Sequence, residues 1–464
     1  MQKLRKSFIY YICSVSAMGG LLFGYDWVVI GGAKPFYEIY FQIADNPWQQ
    51  GIAMSIALAG CLLGAMTGGT LADRYGRKPL LIISAVIFLI SAYGTGAVNA
   101  YLWFLAARFI GGIAIGIASG LSPMYIAEVA PPHSRGRLVS VNQLTIVIGI
   151  LAAQIINMVI ADFGAAGGSA TDIDSWNCQW GWRWMFWAEN IFALPFLILA
   201  FFIPESPRWL VTHGYDSRAA GILTRIGGEQ YAAEEIAAVG RTASSGKKSG
   251  GLRRLFSRPF RHVLALGVFI AVFQQWCGTN VIFNYAQEIF TGAGFDVGEM
   301  FFNIVLTGIT NMVFTIVAMK LIDRVGRRAL MLAGAAGLAV IYAILSVCYL
   351  NSATGFLMVI LVVAAIACYA MTLGPVTWVL LSELFPNSVR GVAMAVCTFA
   401  LWTGSFTLTL SFPPINTALG SAATFGLYAA ICVVGLLFLR HRLPETKGRS
   451  LEEIETSLIN DNIL

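Results

Sequence analysis

Charge is what this sequence has least of. Asp, Glu, Lys and Arg make up 12% of its 464 residues while 57% are hydrophobic; a soluble chain carries about twice that charged fraction. So few charges cannot hydrate a globular surface, and the mean hydropathy of +0.72 belongs to the whole length, not to one anchor. The chain is therefore solvated mostly by lipid. Redox and metal signatures are missing too. The eight cysteines, Cys13, Cys61, Cys178, Cys277, Cys348, Cys368, Cys397 and Cys432, make no C-x-x-C pair or His/Cys cluster. All but Cys178 fall in apolar runs, as small buried hydrophobes do. No P-loop, metal-ligand spacing or Ser-His-acid arrangement occurs, and His133, His213, His262 and His441 all fall at the cytoplasmic face. An enzyme, a metal site and a cofactor are not expected.

What is present is length enough for many membrane spans. Apolar runs between polar breaks give twelve, starting near Phe8, Gln49, Pro79, Tyr101, Gly136, Trp182, Phe260, Glu299, Ala329, Gly355, Val392 and Gly420. The net charge of +6 then finds its explanation in position. With the N-terminus inside, every Lys and Arg except Lys34, Arg108 and Arg183 falls in a cytoplasmic segment or at a helix end facing one. That is the positive-inside pattern, so the basic excess reports topology: no nucleic-acid partner is expected, and both termini are expected in the cytoplasm. The start after Lys3-Leu4-Arg5-Lys6 resembles a signal peptide, but Phe8 to Ile30 is too long and lacks a convincing cleavage site. It reads as a retained first helix.

The sequence is also written twice. Asp73-Arg-Tyr-Gly-Arg-Lys78 recurs as Asp323-Arg-Val-Gly-Arg-Arg328, and Glu128-Val-Ala-Pro-Pro-His-Ser-Arg135-Gly136 as Glu383-Leu-Phe-Pro-Asn-Ser-Val-Arg390-Gly391, at offsets of 250 and 255 residues. Pro204-Glu205-Ser206 and Pro444-Glu445-Thr446 follow the sixth and twelfth spans. Three pairs in the same order predict a duplicated six-helix unit: an N-terminal bundle over 1–203, a cytoplasmic linker over 204–258, a C-terminal bundle over 259–442 and a cytoplasmic tail over 443–464. Ser217 to Ile226 and Ala233 to Val239 have the periodicity of short amphipathic helices in the linker, and the tail after Gly448 reads as one more.

Several motifs in series resemble one family. Phe23-Gly-Tyr-Asp26, Asp73-Arg-x-Gly-Arg-Lys78, Arg108-Phe-Ile-Gly-Gly112, Pro204-Glu-Ser-Pro-Arg208, Gln274-Gln275 with Gly278 and Asn280, Gly374-Pro375 with Trp378, and Pro444-Glu-Thr-Lys-Gly448 look like the sugar porters of the major facilitator superfamily. Bacterial xylose:proton symporters and facilitative glucose transporters are the members they most resemble. The resemblance implies an all-α membrane protein, twelve transmembrane helices in two six-helix bundles with short cytoplasmic helices between them. It also implies proton-coupled monosaccharide transport by alternating access, and a conformational latch of Asp73, Arg77, Glu128, Arg135, Glu205 and Arg208, matched by Asp323, Arg327, Glu383 and Arg390. The residues support a moving joint: anchoring a loop needs only basic groups, and acids beside them form ion pairs that break and reform.

Three ionisable residues interrupt the spans. Asp26 lies about 27 Å along a helix entered near Phe8, and Arg108 and Glu189 each about 10 Å along helices entered from the other side. An isolated carboxylate in lipid must be paired, protonated or wetted. Pairing with Arg108 favours the charged form and burial the neutral one, so an Asp whose partner changes with conformation loads and releases a proton. A static structural pair is the alternative. In the family, proton-coupled members carry Asp here and uniporting relatives commonly Asn.

A sugar needs groups that both donate and accept hydrogen bonds, and an aromatic plate for its apolar face. Gln274, Gln275 and Asn280 lie on the seventh span, Gln143 on the fifth and Asn311 on the eighth. Gln274 and Asn280 are about 240° apart on an unbroken helix, and Gly278 between them permits a break. The resemblance implies that these five amides and Trp378 face the sugar. Trp103, Trp176, Trp180, Trp182 and Trp184 suit an interfacial belt instead. Two positions depart from the family: Leu401 stands where many members bind sugar with an amide, and Trp27 follows the acidic position in place of a small residue. The expected partners are a hexose or pentose, a proton and lipid, in a monomer of a bacterial inner membrane. The alternatives are a uniporter, a polyol symporter such as one for inositol, and a sugar sensor.

Overall fold

Lipid offers a backbone no hydrogen-bond partner, so a chain this apolar satisfies its own amides in helices. The computed structural model describes residues 5–131, 134–165, 171–245, 255–256, 258–385 and 389–447, apart from the side chains at 242–245, 258, 259 and 323. Five long helices come first: α1 (Lys6–Tyr40), α2 (Pro47–Tyr75), α3 (Arg77–Ala97), α4 (Tyr101–Val129) and α5 (Arg135–Ala165). The sixth span is interrupted. A π turn at Asn177–Gly181 leads into α6 (Trp182–Trp187), and α7 (Asn190–Ala200) follows after two residues.

The linker forms α8 (Pro207–Thr212), α9 (Asp216–Gly227) and α10 (Glu229–Ser245), which contain both amphipathic stretches read from the sequence. Ser206 caps α8, its hydroxyl accepting the Trp209 N–H at 3.3 Å. The second half opens with α11 (Arg258–Trp276), α12 (Thr279–Asn284) and α13 (Ala286–Gly292). This is the seventh span, broken at Gly278, whose φ of 89° and ψ of −10° are left-handed. Next come α14 (Val297–Val325), α15 (Arg327–Leu350), α16 (Phe356–Met371) and α17 (Leu373–Leu384). Asp296 and Glu299 start α14 with a capping box, and the tenth span breaks at Thr372, two residues before Gly374-Pro375.

The last element, α18 (Arg390–Arg442), holds two spans joined at Gly420, where φ is 77°. Ten helices among the described residues are long and apolar enough to cross a membrane. Dividing α18 at Gly420 and adding the interrupted sixth span gives the twelve of this multi-pass membrane protein.

Contacts sort these helices into two compact units, and not in sequence order. One takes Met1–Trp27, Gly60–Gly149 and Trp187–Ser249; the other takes Val28–Ala59, Ile150–Phe186 and Gly250–Leu464. The C-terminal part of α1 and the N-terminal part of α2 therefore pack with second-half helices. Phe36 of α1 stacks on Phe301 of α14 at 6.2 Å, and Gly51 of α2 lies against the Leu410 carbonyl of α18.

Trp182 corrects the belt reading. Trp103, Trp180 and Trp184 are exposed, but Trp182 is wholly buried, its indole N–H donating to the Cys178 carbonyl at 2.9 Å. Tyr40 and Phe41 pack on it, and the Arg183 guanidinium lies 4.4 Å from its ring. Helical facing decides this: Trp182 and Trp184, two positions apart on one helix, point about 200° apart.

Candidate functional site

The first unit joins the intramembrane charges. Arg108 of α4 pairs through Nη1 with Asp26 Oδ1 of α1 and donates from Nη2 to the Asp26 carbonyl at 3.1 Å. Both residues are 1% exposed. The helices come this close because position 111 has no side chain: a Cβ there would meet Ser91 Oγ at 2.3 Å and Asp26 Oδ2 at 3.1 Å. Glu189, also 1% exposed, sits at the start of α7 within electrostatic range of Asp26 and Arg108. Tyr25, beside Asp26, packs its ring on Phe192, one turn past Glu189. Among the described residues Asp26 Oδ2 and Glu189 Oε1 have no hydrogen-bond partner. Two carboxyls thus lie within reach of one guanidinium, each with one buried oxygen left without a hydrogen bond.

The repeated motifs build the same cluster in each unit. In the first, Arg77 Nε and Nη2 donate to both carboxylate oxygens of Glu128 at 2.9 Å, and Ser206 donates to Glu128 at 2.6 Å. Glu205 accepts the backbone N–H of Arg77 at 2.9 Å. In the second, Arg327 reaches Glu383 at 3.0 Å, Thr446 donates to Glu383 at 2.6 Å, and Glu445 accepts the Arg327 N–H at 3.0 Å. Gly76 and Gly326 make the turns with φ of 99° and 107°, a conformation that favours glycine. A Cβ at either position would also run into its Glu, at 2.3 and 2.8 Å.

Other residues of the expected latch lie at or beyond the edge of these clusters. Asp73 pairs with Arg77 at 3.0 Å but is 74% exposed, and Arg208 is exposed. Arg135, also exposed, lies near Tyr231 of α10, whose hydroxyl is pushed up to about 12 by burial and by Glu235, with Arg135 opposing. Arg390 donates to the Phe385 carbonyl at 3.1 Å. The Asp323 side chain is outside the described residues, as are the tail after Lys447 and most of the segment joining α10 to α11. Glu445, Ser206 and Thr446 were missed as site residues, although the Pro-Glu-Ser/Thr repeat carried the signal.

In the second unit the seventh span is interrupted at Gly278, and its amides are joined across the break. Asn280 Nδ2 donates to Gln275 Oε1, Gln275 Nε2 to Gln274 Oε1, and Gln274 Nε2 to the Tyr369 hydroxyl of α16. All three amides are at least nine-tenths buried. Each uses one donor and keeps further capacity, as a polyhydroxylated ligand requires. Tyr369 ends the run with a hydroxyl proton still to give; the sequence reading missed it, because a Tyr in an apolar span reads as packing. Asn311, buried on α14, and Trp378, 38% exposed on α17, are in this unit but outside the hydrogen-bonded run. Gln143, half-buried on α5, belongs to the other unit. Leu401 is 3% exposed, and all eight cysteines are free thiols.

Twelve spans in two repeated sets of six, with buried ionisable groups and a polar site at a broken helix, define a secondary transporter of the major facilitator fold. The sequence profile described as Sugar (and other) transporter matches residues 12–458. The chain is 37% identical to the D-xylose-proton symporter of Escherichia coli (strain K12), over 97% of this chain and 95% of that relative. It is 35% identical to the arabinose-proton symporter of Bacillus subtilis (strain 168), over 97% and 94%. Among solved structures, the inward open conformation of the xylose transporter XylE from E. coli matches with a TM-score of 0.85 at 35% identity, covering 97% of this chain and 99% of that one. XylE bound to 6-bromo-6-deoxy-D-glucose matches with a TM-score of 0.78, again at 35% identity, with the same coverage. The chain belongs to the Sugar (and other) transporter family and is a transporter, not an enzyme.

Proposed function

We propose that this protein imports a monosaccharide, a hexose or pentose, together with a proton across a bacterial cytoplasmic membrane, by alternating access and as a monomer with both termini inside. The observation that carries the reading is the buried Asp26–Arg108 pair with Glu189 beside it. A carboxylate paired in one state and unpaired in another changes its proton affinity with conformation, which couples proton binding to the transport cycle. The xylose and arabinose symporters among its relatives support the same chemistry here. Gln274, Gln275 and Asn280, extended by Tyr369, supply hydroxyl recognition, with Asn311 and Trp378 of the same unit. The Arg77–Glu128–Glu205 and Arg327–Glu383–Glu445 clusters act as the joints of the cycle.

The test is uptake of a panel of labelled pentoses, hexoses and polyols into proteoliposomes, with and without an inward proton gradient. Accumulation of at least one monosaccharide only with the gradient is expected; no uptake of any sugar would overturn the reading. Leu401 favours one second reading. An apolar side chain where an amide would meet a hydroxyl suits a ligand with a different hydroxyl pattern, so transport of a polyol in place of every aldose would select a polyol symporter.

A further inference from the structure

Lys34 is a buried lysine that neither the proton site nor the amide run uses. It lies near the C-terminal end of α1, 2% exposed, and its ammonium meets two carboxylates: Glu38, one turn on, at 3.0 Å, and Glu288 of α13. The same ammonium lies 5.7 Å from the centre of the Tyr285 ring, and Tyr285 is the residue between α12 and α13. One turn earlier on α1, Gly31 lies against the carbonyls of Phe283 and Asn284, which a Cβ would approach to 3.1–3.2 Å. From Gly31 to Lys34, then, α1 grips the segment that follows the Gly278 break, and that segment carries Asn280. The segment is also held by Tyr285, whose hydroxyl donates to the Thr409 carbonyl of α18 at 2.6 Å, and at its start by Thr279, whose hydroxyl lies 3.2 Å from that of Tyr342.

We infer that Lys34 is a positioning residue for transport: it holds the segment after Gly278, and with it Asn280, against α1, and that segment moves when Glu288 lets go. The inference rests on the transport reading above. The two carboxylates have different parts. Glu38 is on the same helix and stays with Lys34 in every conformation, so releasing Glu288 leaves no buried ammonium unpaired. Glu288, on a separate element and with 27% of its side chain exposed, is the exchangeable partner. A buried pair that loses one member is costly; a buried lysine with one fixed and one exchangeable partner avoids that cost and has two discrete arrangements.

The test uses spin labels on Asp45→Cys, in the α1–α2 turn, and Ser352→Cys, in the turn after α15, with distances measured in reconstituted protein without sugar. Glu288→Gln is expected to raise the ratio of long to short distances on the order of tenfold, and Glu288→Asp, which keeps the charge, to restore most of the wild-type distribution. Glu38→Gln, which leaves Lys34 only Glu288 and so makes its release costlier, is expected to move the distribution toward the short distances, while Glu288→Gln raises the KM for sugar more than it changes kcat. Wild-type distances in Glu288→Gln, or a shift toward the long distances in Glu38→Gln, would overturn the inference. Because the distances need no sugar, a shift with no sugar transported by any variant would count against the sugar reading alone.

Discussion

Arg108 faces two buried carboxyls, Asp26 and Glu189, and this decides what single substitutions do. In Asp26→Asn the guanidinium keeps Glu189 within range, so the protein is expected to fold and to exchange sugar while losing accumulation driven by a proton gradient. In Asp26→Asn/Glu189→Gln it keeps no carboxylate, and an unpaired buried charge costs about 3–5 kcal/mol. Thermal unfolding should separate the two variants clearly, and equal stability would show that Glu189 does not share the charge. Tyr369→Phe removes the acceptor at the end of the amide run. A net hydrogen bond is worth about 1 kcal/mol, so the KM for sugar should rise about fivefold with kcat nearly unchanged. An unaltered KM would remove Tyr369 from the site.

Breaks in the helices do as much as the helices themselves. Gly278 breaks the seventh span and brings Gln275 and Asn280 together despite the wrong angle for an unbroken helix. In Gly278→Ala a Cβ would enter a left-handed backbone and meet the Tyr428 ring at 2.9 Å. The strain alone costs about 1–2 kcal/mol, so a lower melting temperature and weaker sugar binding are expected, and wild-type values for both would contradict this account of the break. That much was legible in the sequence: a Gly between two amides, a Gly-Pro before Trp378, and Asp-Arg-x-Gly-Arg at two turns all announce backbone chemistry locally. The partner of Lys34 was not legible, since no motif links it to Glu288, 254 residues away, and a lone lysine at the end of a span reads as an anchor. Trp182 misled for a related reason, because hydropathy places a residue in depth and says nothing of which face it turns inward.

At the scale of the whole molecule the repeats explain why one chain carries two matching charge clusters. Each closes within its own compact unit and shares no partner with the other, so the stability losses of Glu128→Gln and Glu383→Gln are expected to add to within about 0.5 kcal/mol in the double variant. A larger coupling, measured by thermal unfolding, would mean that the clusters act on each other. If proton movement is tied to sugar movement through Asp26, the external pH of lightly buffered proteoliposomes reports it when sugar is added without any imposed gradient. Sugar is expected to alkalinise the medium with the wild-type protein and to leave it unchanged with Asp26→Asn, although that variant still exchanges labelled sugar. Alkalinisation by Asp26→Asn equal to wild type would contradict this coupling.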